Sequence, residues 1–200
     1  MSPSTEADRS LEHLVFEIAK GVSGETGEAF FRSLVRYLAS GLDAAYVFVG
    51  ALQPDGKHIA TLAVHGPEGE APAIEYALKG TPCANVVQQK VCSYQQGVQQ
   101  LFPQDKLLRM VGAGGYVGSP MVDSSGRCLG LICAVTRRPI ENPRLAEALL
   151  KIFATRAERF PQPDDSDIAS GAILELLKKV PVAGDATAYI LSLFFNPFRR

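Results

Sequence analysis

The 200-residue chain has no tryptophan, only three methionines, three histidines and four cysteines, and no excess of either charge. Twenty Lys and Arg face twenty-one Asp and Glu, a formal net charge of −1. Without a positive field there is no electrostatic means of gathering nucleic acid or anionic lipid, so nucleic acid is excluded as a partner and a membrane surface is not expected. No apolar run approaches the ~20 residues that a helical membrane span needs. The start of the chain, Met-Ser-Pro-Ser-Thr-Glu-Ala-Asp, lacks the basic residues and apolar stretch of a secretory signal. Two of the four cysteines fall inside an apolar segment, which reads as cytosolic thiols rather than a disulfide framework. A cytoplasmic location is the expectation.

Catalytic and metal-binding patterns are equally sparse. No cysteine pair has zinc-ribbon spacing and His13, His58 and His65 are scattered, so no metal site is expected. His13 and His58 should face solvent, and His65 should bond a loop. There is no Gly-x-Ser-x-Gly elbow and no pair of carboxylates in a cleft-like segment. Gly112-Ala113-Gly114-Gly115 precedes a strand pattern instead of a helix, unlike a phosphate-cradling loop. No enzyme is expected from these residues, and they identify no cofactor.

The content of the chain lies in its periodicities. Leu11, Leu14, Val15 and Ile18 recur at helical spacing, as do Phe30, Phe31, Leu34, Val35 and Leu38 after the Gly24 to Gly27 break. Ala44 to Leu52 and Ile59 to Val64 read as strands joined by the turn Gln53-Pro-Asp-Gly-Lys57. A loop from Gly66 to Pro72 leads to a short extended piece at Ile74 to Leu78. Thr81 and Pro82 suit the N-cap and first position of a helix running to about Gln89. Asp105 to Val111 predicts a short helix. Tyr116 to Val122 and Leu129 to Thr136 form a second hairpin across Asp123-Ser-Ser-Gly126, and Glu141 to Phe160 is a long helix with Leu145, Leu149, Ile152 and Phe153 on one stripe. Cys128 and Cys133 are five apart on one strand, which predicts opposite faces.

Helices at both ends with two local hairpins between them indicate an α+β protein, an antiparallel sheet with the terminal helices on one face. The second hairpin is apolar on both sides, so the other face must also be covered. Residues 1–10 are expected to be a disordered N-terminus, 11–160 the domain, and 161–200 a linker and short helical tail, a truncated or divergent connector. In that tail Ser170 to Val180 reads as a short helix and Tyr189 to Phe195 as an apolar segment packing on the domain or on a partner subunit.

Gly80-Thr-Pro-Cys83-Ala-Asn-Val-Val87, Cys92-Ser-Tyr94, Gly97-Val-Gln-Gln-Leu-Phe-Pro103 and the Tyr116 to Arg138 hairpin together resemble the GAF sensory-domain superfamily over roughly residues 11–160. The likeness runs to the GAF input modules of bacterial multi-sensor histidine kinases and cyclic-di-nucleotide signalling proteins. It implies a GAF-like sheet with the terminal helices on one face and a ligand-pocket roof, here Gly80 to Gly114, on the other. It further implies a regulatory domain of two-component signal transduction that senses a small molecule and acts through its terminal helices. The alternatives are a GAF dimerisation scaffold without ligand and a thiol enzyme like the free methionine-R-sulfoxide reductases, whose cysteine environment is matched only superficially by Cys83 and Cys92. The implied pocket lining is Phe48, Thr81, Cys83, Val87, Tyr94, Phe102, Tyr116 and Met121, suited to a small apolar or planar ligand.

Cys83, placed in the first turn of a helix, would have its thiolate stabilised by free N–H groups, the alternative being a small buried residue in the pocket wall. The expected partners are an unknown small molecule, a second copy in a homodimer paired through the two apolar stripes, and a separate signalling output protein.

Overall fold

The computed structural model describes residues 3–25, 27–88 and 90–157, so the expectations for the tail 161–200 lie outside the described residues. Two helices come first, α1 (Pro3–Val22) and α2 (Gly27–Gly41). They are followed by strands β1 (Tyr46–Leu52), β2 (His58–Gly66), β3 (Gly69–Glu70) and β4 (Glu75–Ala77). A run of short elements comes next: α3 (Cys83–Val86), β5 (Cys92–Tyr94), α4 (Val98–Leu101) and α5 (Lys106–Met110). The hairpin β6 (Gly115–Val122) and β7 (Cys128–Thr136) and the helix α6 (Pro143–Ala157) complete the domain. The helix α1 starts at Pro3, not Leu11, so the segment expected to be disordered is helical from its third residue.

The strands form one antiparallel sheet in the order β3-β2-β1-β7-β6-β5, with β4 also paired to β2. The turns of the β1–β2 and β6–β7 hairpins are each made by an aspartate that holds its own turn's amides. Asp55 Oδ1 accepts from the Lys57 and His58 amides at 2.8 and 3.2 Å. Asp123 Oδ1 accepts from the Ser125 and Arg127 amides, each at 2.9 Å. These side-chain acceptors replace the ladder bonds that a reversal cannot make.

Alternation along the central strands sends side chains to two separate cores. On one face Val47, Val49, Val117, Ile132 and Ala134 meet the inward stripes of α1, α2 and α6. Leu149, Leu150 and Phe153 of α6 are fully buried there, each contributing roughly 1.5–3 kcal/mol. On the other face Tyr116, Leu131, Cys133 and Val135 pack under residues 78–113. The two central strands approach closely: a Cβ on Gly130, whose φ is +159°, would lie 2.1 Å from the Gly50 carbonyl oxygen. Only glycine fits that crossing.

The register also bears on the cysteine geometry. A shift between Met121 and Val122 leaves Leu129 as an extra residue in β7, so the odd separation of Cys128 and Cys133 no longer dictates opposite faces. Cys133 is buried at the sheet centre, and half-buried Cys128 donates to the Gly130 carbonyl at 3.3 Å.

Candidate functional site

Residues 80–114 form a roof over the sheet face that the long helices leave uncovered. The pieces here are short, and Gly80, Gly97 and Gly112 take left-handed backbone angles before α3, at the start of α4 and after α5. Thr81 does not cap α3 as expected. Its hydroxyl turns back to donate to the Leu78 carbonyl at 2.7 Å, Pro82 stands at the cap position without a side-chain bond, and the helix stops at Val86 rather than near Gln89. The helix α5 is capped by Asp105, whose Oδ1 accepts from Leu107 and Leu108 amides at 2.9 and 3.1 Å. Strand β5, too short to show a period in the sequence, pairs with β6 through Cys92–Gly118 and Tyr94–Tyr116 and closes that side of the sheet.

The helix α3 is seated on β6 by the absence of a side chain at Gly118. A Cβ there would lie 2.5 Å from the Tyr116 hydroxyl and 2.8 Å from Val86 Cγ2. The Tyr116 ring therefore runs along the strand into the space over Gly118, which is the register partner of Cys133. That brings the hydroxyl to Cys83 Sγ at 3.2 Å, while the Tyr76 hydroxyl donates to the same sulfur from β4 at 3.2 Å. Cys133 is buried in the same cluster. Around this centre Phe48 meets Tyr76 edge-on at 6.0 Å, and Tyr94 meets Phe102 edge-on at 5.1 Å. Asn85 fixes Tyr94 by donating to its hydroxyl oxygen at 2.8 Å.

Burial dominates the electrostatics. It raises the pKa of Tyr76, Tyr116 and Cys133 well above their ordinary values, with the nearby Cys83 adding to each shift. Cys83 is also opposed by burial, but the donors converging on its sulfur, from Cys133, Tyr116 and Tyr76, outweigh that and hold its thiol below the usual value. Asp105 is raised by burial against the pull of its two amide bonds. Among the described residues no group of three or more His, Cys, Asp or Glu side chains converges as a metal site.

Six of the eight residues expected in the pocket are brought together: Phe48, Cys83, Val87, Tyr94, Phe102 and Tyr116 lie in or against one cluster. Thr81 is buried beside it but spends its hydroxyl on the backbone. Met121 belongs to the opposite core, with Val117 and the helices. Its distance of five residues from Tyr116 on one strand requires opposite faces, a signal present in the sequence. Cys83 does begin a helix but is 4% exposed, so the buried-wall alternative describes its packing. Sequence reasoning passed over Tyr76 and Cys133 as site residues, since their contacts depend on the pairing of β4 with β2 and of β7 with β6. A separate open cleft of about 260 Å³ lies on the helix face between the end of α2 and the start of α6, bordered by Asp43, Arg138 and Asn142. It contains none of the expected residues.

A family model described as the GAF domain matches residues 26–159. The chain belongs to the GAF domain family. No curated protein matches it in sequence. Among solved structures, the GAF domain of an Acinetobacter phosphoenolpyruvate-protein phosphotransferase is similar, with TM-score 0.58 and 12% identity, over 79% of this chain and 92% of that one. Free methionine-R-sulfoxide reductase from Neisseria meningitidis, in complex with its substrate, gives TM-score 0.62 and 15% identity over 80% and 90%. The chromophore-binding domain of Stigmatella aurantiaca bacteriophytochrome gives 0.62 and 9% over 79% and 60%. At such identities these likenesses describe the GAF fold alone.

Proposed function

We propose that this GAF domain is a small-molecule-sensing regulatory module of bacterial signal transduction, cytoplasmic and without catalytic turnover. In this reading the ligand is held between roof and sheet, and the signal leaves through α1 and α6 to a separate output protein. The observation that carries it is the composition of the covered face. Half-buried aromatic rings of Phe48, Tyr76, Tyr94 and Phe102 surround a small set of polar groups, the Cys83 thiol and the tyrosine hydroxyls. Such a lining suits a small, planar or largely apolar ligand with a few anchors. The roof elements are short, of four, three, four and five residues, and short elements with few backbone bonds of their own open locally at lower cost than long ones. A ligand bound beneath them favours one roof arrangement, and the sheet passes that preference to the helices on its far face.

The test is a thermal-shift screen of the full chain against a metabolite panel. A ligand at 100 times its dissociation constant adds about 2.7 kcal/mol, a rise of several degrees in Tm. Loss of that rise in Phe102→Ala supports the site. A flat panel overturns the sensor and favours the scaffold reading, which draws on the close packing of Tyr116 and Cys133 at 1% and 0% exposure. Free methionine-R-sulfoxide with a thiol reductant is included in the panel, and steady methionine production lost in Cys83→Ser would establish the enzyme alternative.

We also propose a homodimer through α1 and α6, but not through the stripe first expected. Leu149, Ile152 and Phe153 are used within the domain's own core, so the pairing must use the outward sides of these helices. Light scattering that gives a monomer mass for the full chain removes this proposal.

A further inference from the structure

We propose that the cleft between the end of α2 and the start of α6 is a separate small-molecule site, built for the zwitterion of an amino acid with an apolar side chain. Its two ends carry opposite polarity over an apolar floor. At the α2 end stands Asp43, the one non-glycine residue among those described with a left-handed backbone, at φ +47°. It follows the last turn of α2, where the Ala44 amide donates back to the Ala39 carbonyl at 2.9 Å, a place that glycine fills at less cost. An aspartate held at that cost on the wall of a cleft points to a use for its charge. The Leu38 and Ala39 carbonyls are taken by the Leu42 and Ala44 amides, which leaves those of Ser40 and Gly41, both on the cleft wall, as further acceptors.

At the α6 end the groups are donors. Among the described residues the Arg138 guanidinium forms no ion pair, and that residue's bond is at its backbone carbonyl, which accepts from the Thr136 hydroxyl at 2.6 Å. Asn142 Oδ1 accepts from the Leu145 amide at 3.1 Å, which leaves the Asn142 side-chain nitrogen to donate. Between the two ends the floor is Val117 and Ala134 of the sheet, walled by Ile140 and Leu145. Glu141 borders the cleft as well, so its titratable lining is two carboxylates and one guanidinium. That balance opposes a plain anion and favours a ligand with an ammonium group and one carboxylate. Arg138 and Asn142 take the carboxylate, Asp43 and the α2 carbonyls take the ammonium, and the side chain lies on the floor. The volume of about 260 Å³ lies below the ~300 Å³ at which drug-sized sites begin and equals the share of about nine waters, a fit for an amino acid. A ligand held at both ends at once favours one separation of α2 from α6.

The cleft lies on the sheet face away from the roof and uses none of the roof residues, so this site and the roof site fail separately. The test titrates the ¹⁵N-labelled full chain with leucine and follows its amide resonances. Two half-molecules serve as controls: 4-methylpentanoate, which lacks the ammonium, and 3-methylbutylamine, which lacks the carboxylate. Leucine should give saturable shifts of the amides around Asp43 and Asn142, and each half-molecule should bind at least about tenfold more weakly. Asp43→Asn and Arg138→Gln should each weaken leucine by about tenfold or more, while Phe102→Ala leaves it unchanged. Both replaced side chains are exposed and asparagine accepts the left-handed backbone, so resonances remote from the cleft should stay in place. No saturable shift with leucine, equal binding of either half-molecule, or an affinity that either cleft variant leaves intact would overturn the site. Leucine binding lost in Phe102→Ala and kept in both cleft variants would overturn it too, and would support the roof reading instead.

Discussion

Gly118 is the position where a single methyl group should break the thiol–tyrosine cluster. A Cβ there meets Tyr116 Oη at 2.5 Å, Val86 Cγ2 at 2.8 Å and Tyr116 Cε1 at 3.1 Å. Neither neighbour has room to retreat, since Tyr116 is 1% exposed and Val86 0%. Overpacking of this kind costs about 1–3 kcal/mol, from which the lower unfolded-state entropy of alanine returns about 0.5–1 kcal/mol. Gly118→Ala should therefore lose about 1–2 kcal/mol, or roughly 2–8 °C in Tm for a domain of this size. Tyr116→Phe alone should lose about 1 kcal/mol, because Cys83 gives up one hydrogen-bond partner. In the double variant the closest clashing atom is gone, so its loss should fall short of the sum by at least about 0.5 kcal/mol. Urea unfolding of wild type and the three variants, with equal m-values, measures this coupling. Additivity within about 0.3 kcal/mol would refute the reasoning, since it would mean that the methyl group and the hydroxyl do not compete for one space. A second readout is thiol labelling, in which Cys83 should react faster in Gly118→Ala than in wild type.

Gly130→Ala should be more damaging, at about 3 kcal/mol, because its Cβ would lie 2.1 Å from a backbone oxygen of the neighbouring strand. Gly126→Ala, with φ of +83° and open space around it, should cost only the backbone strain of about 1 kcal/mol, and equal losses in chemical denaturation would contradict the close β1–β7 approach. Met121→Ala should cost about 2–5 kcal/mol while leaving any ligand-dependent rise in Tm unchanged, since its side chain lies in the helix-side core; a changed rise would return it to the pocket. The carboxyl of Asp123 is pulled down to about 2 by the Ser125 hydroxyl and the turn amides. A folded pKa below the unfolded one gives stability that is present above about pH 4 and lost as pH falls toward 2, so the gap between wild type and Asp123→Ala should be flat near neutrality and shrink over that acid range in urea titrations.

Local chemistry was enough to read the architecture. Pro54-Asp-Gly56 and Asp123-Ser-Ser-Gly126 mark the two reversals, and the 3.6-residue stripes of α2 and α6 mark the helices that must cover one sheet face. Apolar residues on both sides of β7 showed that a second cover existed, and most of the residues expected beneath it are there. The misassignment of Met121 went against a period-2 rule that the sequence already contained. Other features were beyond local reading. Thr81 has the chemistry of a cap, but the Leu78 carbonyl that captures its hydroxyl is exposed to it only once the chain has turned at Gly80. The bulge at Leu129 follows from the pairing of two whole strands, and it removes the simple period-2 relation between Cys128 and Cys133. Most of all, the meeting of Tyr76, Cys83, Tyr116 and Cys133 joins four segments that no spacing relates. Backbone periodicity sets which way a side chain points along one strand, whereas the register between strands and the fit over Gly118 decide which sulfur it touches.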